Sequence, residues 1–138
     1  MAQIVIDASV FMQLLLSEAY SEQAHALREA YLSRKFGIAV PSLFAYEVLN
    51  AARYSKAYSV GELESLSEAV EWYRFEVHNV DTDFSKAIAR AAMKYNLSVY
   101  DAAYVVLAQA TGSVLYTADT EIIDKVKGPH VRHIKDFK

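Results

Sequence analysis

Two carboxylates follow short apolar segments that are typical of buried strands. Asp7 comes directly after the β-branched run at residues 4–6, and Asp119 follows the run at residues 113–116 by three positions. Ligands of parallel α/β folds bind outside the carboxyl ends of the strands, so both positions favour a role in binding or catalysis. The alternative for each is that it caps the following helix, because Asp is a preferred N-cap residue.

Two further carboxylates lie in apolar segments with helical character. Glu47 is the only charged residue between positions 40 and 52, and Asp101 is the only one from 99 to 107. A carboxylate in such a segment must lose its hydration or face a cavity. The alternative for Glu47 is an ion pair with an Arg or Lys in the core. The alternative for Asp101 is a capping interaction with Ser98.

Taken together, the four carboxylates predict a metal site. If each lies at a strand end or on an inward helix face, they crowd one rim of the sheet, where like charges raise one another's pKa values. A hard divalent cation resolves that crowding, and a carboxylate cluster without His or Cys suits Mg²⁺ or Mn²⁺ better than Zn²⁺. The chemistry expected of such a site is phosphoryl transfer or phosphodiester hydrolysis.

The elements that must hold these residues alternate between strands and helices. Strands are predicted at 4–6, 38–40, 75–78, 113–116 and 131–134, and helices at 10–16, 21–34, 43–56, 62–73, 84–95, 99–110 and 121–125. Gly37, Asn96 and Gly112 are predicted to end helices, and Pro41-Ser42 is predicted to form a turn. The alternation predicts an α/β fold with a short parallel sheet of four to five strands flanked by helices.

Length and composition narrow the class of protein. A chain of 138 residues predicts one domain over residues 1–138, and the absence of Cys excludes disulfides and thiolate chemistry. A formal net charge of −3 gives no general attraction to nucleic acid, so RNA binding would depend on local basic residues or bound cations. Neither a signal peptide nor a membrane-spanning apolar stretch is evident, so a cytoplasmic protein without membrane contact is expected.

Four segments that carry the acidic residues follow one another in an order that can be compared with known families. They are Ile4-Val5-Ile6-Asp7-Ala8-Ser9, Glu47 in an apolar helix after a Pro-Ser turn, Leu97-Ser98-Val99-Tyr100-Asp101-Ala102-Ala103-Tyr104, and Leu115-Tyr116-Thr117-Ala118-Asp119. This pattern resembles the PIN-domain ribonucleases, and its length and ordering are most similar to the VapC-type toxins of prokaryotic toxin–antitoxin pairs. The resemblance covers essentially the whole chain, and it implies a single three-layer PIN-like domain.

The resemblance also implies which residues act. The family's acidic quartet carries over to Asp7, Glu47, Asp101 and Asp119 as catalytic and metal-binding residues, and Ser9 and Thr117 match its hydroxyl positions beside the metal. One or two Mg²⁺ or Mn²⁺ ions in such a site would activate water for hydrolysis of an RNA phosphodiester. Many relatives have a basic residue after the fourth acid, whereas this chain has Thr120-Glu121, which makes Glu121 a substitute candidate.

The implied partners are an RNA substrate, a small antitoxin whose segment lies over the acidic site, and a second copy of the chain in a homodimer. Candidate RNA-binding residues are Lys86, Arg90 and Lys94, which share one helix face, and Arg53 and Lys56, about two turns after Glu47. The alternative for each basic residue is an ordinary solvated helix face.

Other functions fit the sequence less well. A phosphoacceptor receiver domain needs adjacent acids after its first strand, and a haloacid-dehalogenase-like phosphatase needs Asp-x-Asp, but this chain has Ile6-Asp7 and Ser9 there. The sequence contains no Gly-x-x-x-x-Gly-Lys loop, which excludes a P-loop NTPase. The remaining alternative is a catalytically silent PIN-like module that binds RNA or protein.

Overall fold

The computed structural model describes residues 2–15, 20–55 and 58–138, in which strands and helices alternate. The strands are β1 Gln3–Ile6, β2 Gly37–Pro41, β3 Glu76–His78, β4 Leu115–Thr117 and β5 Val131–His133. The helices are α1 Ala8–Leu15, α2 Ser21–Leu32, α3 Phe44–Ser55, α4 Val60–Trp72, α5 Thr82–Tyr95, α6 Val99–Ala110 and α7 Thr120–Val126. A 3₁₀ turn at Ile134–Asp136 follows β5.

The five strands form one parallel sheet in the order β3-β2-β1-β4-β5. Val5 of β1 lies between Ala39 of β2 and Leu115 of β4, so β1 is the central strand. The chain order reverses direction across the sheet at β1, and such a switch point opens a crevice at the carboxyl ends of the strands. The predicted α/β class, with a short parallel sheet flanked by helices in three layers, is confirmed.

The core lies on both sides of the central strands. α6 packs across β1 and β2, and its residues from Ala102 to Ala108 are all buried. α5 covers the outer side of α6, while α1 packs against α2 and α3. Phe11 of α1 meets the rings of Phe44, Tyr73 and Phe75 edge-on, at centroid distances of 5.6, 5.7 and 6.2 Å.

Several predicted helix ends are confirmed. Asn96 ends α5 in the left-handed conformation with φ 54°, and Gly112 after α6 has φ 62°. Ser98 caps α6 by accepting a hydrogen bond from the Asp101 amide. These caps determine where α6 begins and therefore where Asp101 lies.

Two predicted boundaries are wrong. α2 ends at Leu32, and Arg34 takes the left-handed turn with φ 61°, so Gly37 begins β2 instead of ending the helix. Pro41 is the last residue of β2, so the predicted turn into α3 begins one residue later, at Ser42, whose amide donates to the His78 carbonyl. Proline at that strand end loses no ladder hydrogen bond, because the neighbouring residue makes it.

No helix within residues 2–15, 20–55 and 58–138 combines the length and the apolarity that crossing a bilayer requires.

Candidate active site

Asp7 lies at the carboxyl end of β1, and its side chain is only 6% exposed. Its carboxylate accepts hydrogen bonds from the Ser9 hydroxyl at 2.5 Å, the Thr117 hydroxyl at 2.5 Å and the Val10 amide at 3.2 Å. Burial raises the pKa of Asp7 to about 6, although all three donors oppose that change. The fold thus holds a carboxylate in a fixed place where its charge is poorly solvated.

The two hydroxyls beside Asp7 connect β1 to the end of β4. Ser9 accepts from the Ala118 amide at 3.0 Å, and Thr117 accepts from the Asp119 amide at 3.0 Å. Each hydroxyl therefore donates to Asp7 and accepts from the backbone that leads to Asp119. This network determines the position of Asp119 relative to Asp7.

Asp101 is half-buried in the first turn of α6. Its charge interacts with those of other acidic side chains. Burial raises its pKa, and the charges of Asp119 and Glu121 raise it further, while Ser98 and Lys125 oppose the change. The Asp101 charge in turn raises the pKa of Asp7.

Glu47 lies half-buried on α3, turned towards the same site. Burial raises its pKa, Tyr104 opposes this, and the charge of Asp101 adds to it. Within the described part of the chain Glu47 makes no ion pair, so the alternative of a core Arg or Lys partner finds no support. Asp101 is therefore the acid whose charge acts on both Asp7 and Glu47, and Asp119 in turn acts on Asp101.

The capping alternatives are realised at Asp7, Asp101 and Asp119, and the Asp101 amide donates to the Ser98 hydroxyl. Asp119 accepts from the Glu121 amide at 2.9 Å as the N-cap of α7, and Asp7 accepts from the Val10 amide near the start of α1. Capping uses one carboxylate oxygen in each case, so it does not prevent either side chain from binding a ligand.

The donor set fits a hard divalent cation in its chemistry. All four candidate ligands are carboxylates, and Mg²⁺ and Mn²⁺ prefer oxygen ligands. As their side chains are placed, no three acidic or His residues among those described form a ready-made metal-binding group. The charge of Asp101 raises the pKa values of Asp7 and Glu47, and the charge of Asp119 raises that of Asp101.

The basic residues predicted to bind RNA lie on exposed faces of α5 and α3. Lys86, Arg90 and Lys94 lie on the exposed face of α5, and Arg53 is exposed on α3 beside the Tyr54 ring. None of them acts on the pKa of Asp7, Glu47 or Asp101. Lys56 lies outside the described residues.

Two residues near the acids were missed by sequence reasoning. Lys125 donates to Glu121 at 2.6 Å and to the Asn96 carbonyl at 2.9 Å, so Glu121 is already engaged in an ion pair. Tyr104 lies beside Glu47. The only sequence signals were the spacings of Glu121 to Lys125 and of Asp101 to Tyr104, which place each pair on one helix face.

Comparison with known proteins identifies the same architecture. The model of the PIN domain family matches residues 4–129. Ribonuclease VapC3 of Pyrobaculum aerophilum is 33% identical over 128 residues, covering 89% of this chain and 94% of that protein. The crystal structure of PAE2754 from Pyrobaculum aerophilum is 25% identical with a TM-score of 0.69, covering 97% of this chain and 85% of the other.

A toxin–antitoxin complex from Klebsiella pneumoniae contains a chain of the same fold. Its TM-score is 0.69 at 18% identity, with 95% of this chain and 97% of that chain covered.

Proposed function

Since this chain belongs to the PIN domain family, we propose that it is an endoribonuclease that hydrolyses RNA phosphodiester bonds as the toxin of a toxin–antitoxin pair. The observation that carries this proposal is the placement of Asp7 and Asp119 after the neighbouring strands β1 and β4, where the Ser9 and Thr117 hydroxyls join the Asp7 carboxylate to the backbone that leads to Asp119. The charge of Asp101 acts on both Asp7 and Glu47. The 33% identity to Ribonuclease VapC3 across nearly the full length of both chains supports it.

The four carboxylates are proposed to hold Mg²⁺ or Mn²⁺. When bound there, the metal supplies Lewis-acid activation of water and positive charge beside the phosphate. Asp7 contributes a carboxylate that Ser9 and Thr117 hold in one orientation, which keeps its geometry fixed during turnover. Glu47, Asp101 and Asp119 reach the same site from α3, α6 and the end of β4.

The reaction requires no covalent intermediate with the protein. A water oxygen forms the new bond to phosphorus, the opposite P–O bond breaks, and the leaving ribose oxygen takes up a proton. The buried Asp7 and the half-buried Glu47 and Asp101, whose pKa values are raised, would orient that water and take up its proton.

The proposed partners are RNA, an antitoxin and a second copy of the chain. The exposed basic face of α5, formed by Lys86, Arg90 and Lys94, is suited to the RNA backbone, and Arg53 extends this role to α3. An acidic site suits a cationic antitoxin segment. Large exposed side chains on α3, α4 and α5 support a homodimer; they are Tyr46, Tyr54, Val60, Trp72 and Met93.

Cleavage of pooled cellular RNA tests the proposal. The wild-type protein with Mg²⁺ or Mn²⁺ is expected to give discrete fragments, whereas EDTA or Asp101→Asn should leave the RNA intact, because the variant keeps the shape but removes a charge. Asp83→Asn is the matched control, since Asp83 also lies in the first turn of a helix but is exposed on α5.

Each outcome discriminates between the alternatives. Cleavage that survives EDTA or Asp101→Asn contradicts the acidic site as its source. Intact RNA in every reaction, with RNA still bound by the protein, favours the catalytically silent module.

A further inference from the structure

A groove runs between α5 and α6. Its floor is apolar and includes Ala87, Ala91 and Val106, of which Ala91 and Val106 are buried. The alanine side chains are too short to fill the space between the two helices. The groove has a volume of about 490 Å³, which is within the roughly 300–1,000 Å³ that is typical of small-molecule sites.

The charged side chains that line this groove are all basic among the residues that the structure describes. Arg90 and Lys94 lie one turn apart on α5, and both are exposed. Four other grooves on the described surface include acidic residues in their linings, which are Glu68 and Glu71, Asp81, Glu64, and Glu29. In a chain with a net charge of −3, a groove whose charges are only positive favours an anionic ligand.

Two hydrogen-bonding side chains join the helices across this groove. The Gln109 Nε2 donates to the Tyr95 hydroxyl at 3.4 Å, and both residues line the groove. This bond still allows the Gln109 carbonyl to accept and the Tyr95 hydroxyl to donate. The Lys94 Nζ lies 5.1 Å from the centre of the Tyr95 ring, which keeps the ammonium group beside the same phenol. A donor, an acceptor and a cation therefore border one apolar surface.

This combination suits a nucleotide of single-stranded RNA. A base has a flat face that an apolar floor can cover, and it has an edge of donors and acceptors that amide and hydroxyl groups recognise. The phosphates on either side of the base match two cations that lie one helical turn apart. Bases in a duplex are stacked and paired, so only an unpaired strand can place a base in the groove.

The groove also lies within reach of the acidic site. Asp101 is in the first turn of α6, and Gln109 follows it two turns later on the same helix. The two residues are therefore about 12 Å apart along the helix axis. A strand of a few nucleotides spans that distance, so one RNA molecule can occupy both places. The groove would then hold a nucleotide near the cleaved bond and not the bond itself.

We propose that the groove between α5 and α6 is a subsite for one nucleotide of the RNA substrate. Its two cations hold the phosphates on either side, and the Gln109 amide and the Tyr95 hydroxyl meet the edge of the base. This inference rests on the proposed function for the identity of the ligand. It adds recognition of a base to the backbone contacts already proposed for Arg90 and Lys94.

The salt dependence of RNA binding tests the two cations. A fluorescein-labelled single-stranded RNA of random sequence is titrated with the protein in EDTA, which prevents metal-dependent cleavage, and its anisotropy is followed. Each phosphate contact on a single strand contributes about 0.7 to the slope of log affinity against log salt concentration, so Arg90→Gln and Lys94→Gln should each lower the slope by about 0.7. Lys35→Gln is the control, since Lys35 is exposed just before β2, at the opposite end of the sheet from Asp7. Wild-type slopes in both groove variants would overturn the inference.

Binding of homopolymers tests the recognition of the base. The wild type should bind one of oligo-A, oligo-C and oligo-U about tenfold more tightly than the weakest of them, as a hydrogen-bonded base edge provides. Gln109→Leu keeps the size of an exposed side chain and removes its amide, so most of that preference should disappear while the salt slope stays unchanged. Gln23→Leu on α2 is the matched control and should keep the preference. Equal affinity of the wild type for the three homopolymers, or an unchanged preference in Gln109→Leu, would contradict the proposed subsite.

Cleavage separates this inference from the proposed function. In the active enzyme the groove variants should raise KM for RNA and leave the turnover number unchanged, because the groove is away from the cleaved bond. If cleavage depends on Asp101 but the groove variants match the wild type in binding and in KM, the subsite is overturned while the nuclease stands. If RNA binds through the groove and no cleavage occurs with Mg²⁺ or Mn²⁺, the nuclease is overturned while the subsite stands.

Competition distinguishes RNA from other polyanions. Unlabelled RNA should displace the labelled strand at much lower concentrations than poly-glutamate, which has negative charges but no bases. Equal displacement by the two competitors would show that the groove attracts acidic polymers in general, and it would overturn a nucleotide subsite.

Discussion

At the scale of single residues, Asp7 shows how burial and hydrogen bonding compete over one charge. Its pKa is raised from 3.8 to about 6, so in the folded protein the carboxyl keeps its proton to a higher pH than in the unfolded chain. Between about pH 4 and pH 6 the folded state binds more protons, and its stability falls as the pH rises. Above pH 6 the ionised Asp7 lowers the free energy of unfolding by about 3 kcal/mol.

Asp7→Asn should therefore stabilise the metal-free protein at neutral pH. Asn carries no charge to bury. Its Oδ1 can accept from the Ser9 hydroxyl and the Val10 amide, while its Nδ2 donates to the Thr117 hydroxyl instead of accepting from it, so the free energy of unfolding at pH 7.5 in EDTA should rise by about 1–3 kcal/mol. Near pH 4 most of the gain should be lost, since Asp7 is then protonated in the folded state and about half protonated in the unfolded chain. Urea denaturation at the two pH values measures this, and a variant less stable than the wild type at pH 7.5 would contradict it.

The sequence located the acids better than the groups that support them. Asp7 and Asp119 were recognisable because they follow strand-like runs, and Glu47 and Asp101 because they interrupt apolar helices. Tyr104 was not recognisable, because a Tyr in an apolar helix is normally a core residue. Tyr104 is 57 residues after Glu47, so its proximity to Glu47 depends on how α3 and α6 are placed in the fold, and no local pattern encodes that.

At the scale of elements, the start of α6 controls the position of Asp101. Ser98 caps the helix through the Asp101 amide at 3.0 Å, and the preceding turn uses Asn96 in the left-handed conformation. Lys125 of α7 donates to the Asn96 carbonyl at 2.9 Å and so ties this turn to the helix that Asp119 caps. Asp101 and Asp119 are thereby held together through their helix ends.

Ser98→Ala should consequently affect both stability and activity. Loss of a Ser N-cap costs about 1 kcal/mol, and Asp101 would also lose the hydrogen bond that fixes its backbone. Ser59→Ala is a matched control, because Ser59 caps α4 in a capping box with Glu62. α4 carries none of the four candidate site residues. Thermal unfolding should show similar losses in both variants, and RNA cleavage should fall in Ser98→Ala alone. Equal cleavage in the two variants would show that the cap does not position Asp101.

Element boundaries were predictable where a residue had a strong conformational preference. Asn96 and Gly112 ended helices as predicted, because both tolerate positive φ. The end of α2 was mispredicted because Arg34, which has no such preference, takes the left-handed turn, in which the Arg34 and Lys35 amides donate back to the Tyr31 and Ala30 carbonyls. The pairing order of the strands depends on contacts between distant segments, so only the number and parallel direction of the strands followed from the sequence.

At the scale of the whole molecule, the sheet topology creates the acidic site. The acids come from the ends of β1 and β4 and from α3 and α6, which are far apart in sequence and meet only in the folded chain. The net charge is −3, and concentrating like charges at one place opposes folding. A cation bound among them would relieve this repulsion in the folded state, whereas the unfolded chain offers no such arrangement.

Divalent cation should therefore stabilise the folded protein through the acidic site. A ligand at 100 times its dissociation constant adds about 2.7 kcal/mol to the free energy of unfolding, which corresponds to a rise of roughly 8–10 °C in melting temperature for a chain of this size. We expect a rise that depends on the concentration of Mn²⁺ or Mg²⁺ in differential scanning calorimetry at pH 7.5, and the same rise in Asp83→Asn. Asp101→Asn should lose most of it, because removing one charge from the centre of the cluster weakens binding while leaving the fold intact. An equal rise in Asp101→Asn would place the stabilising cation elsewhere on the molecule.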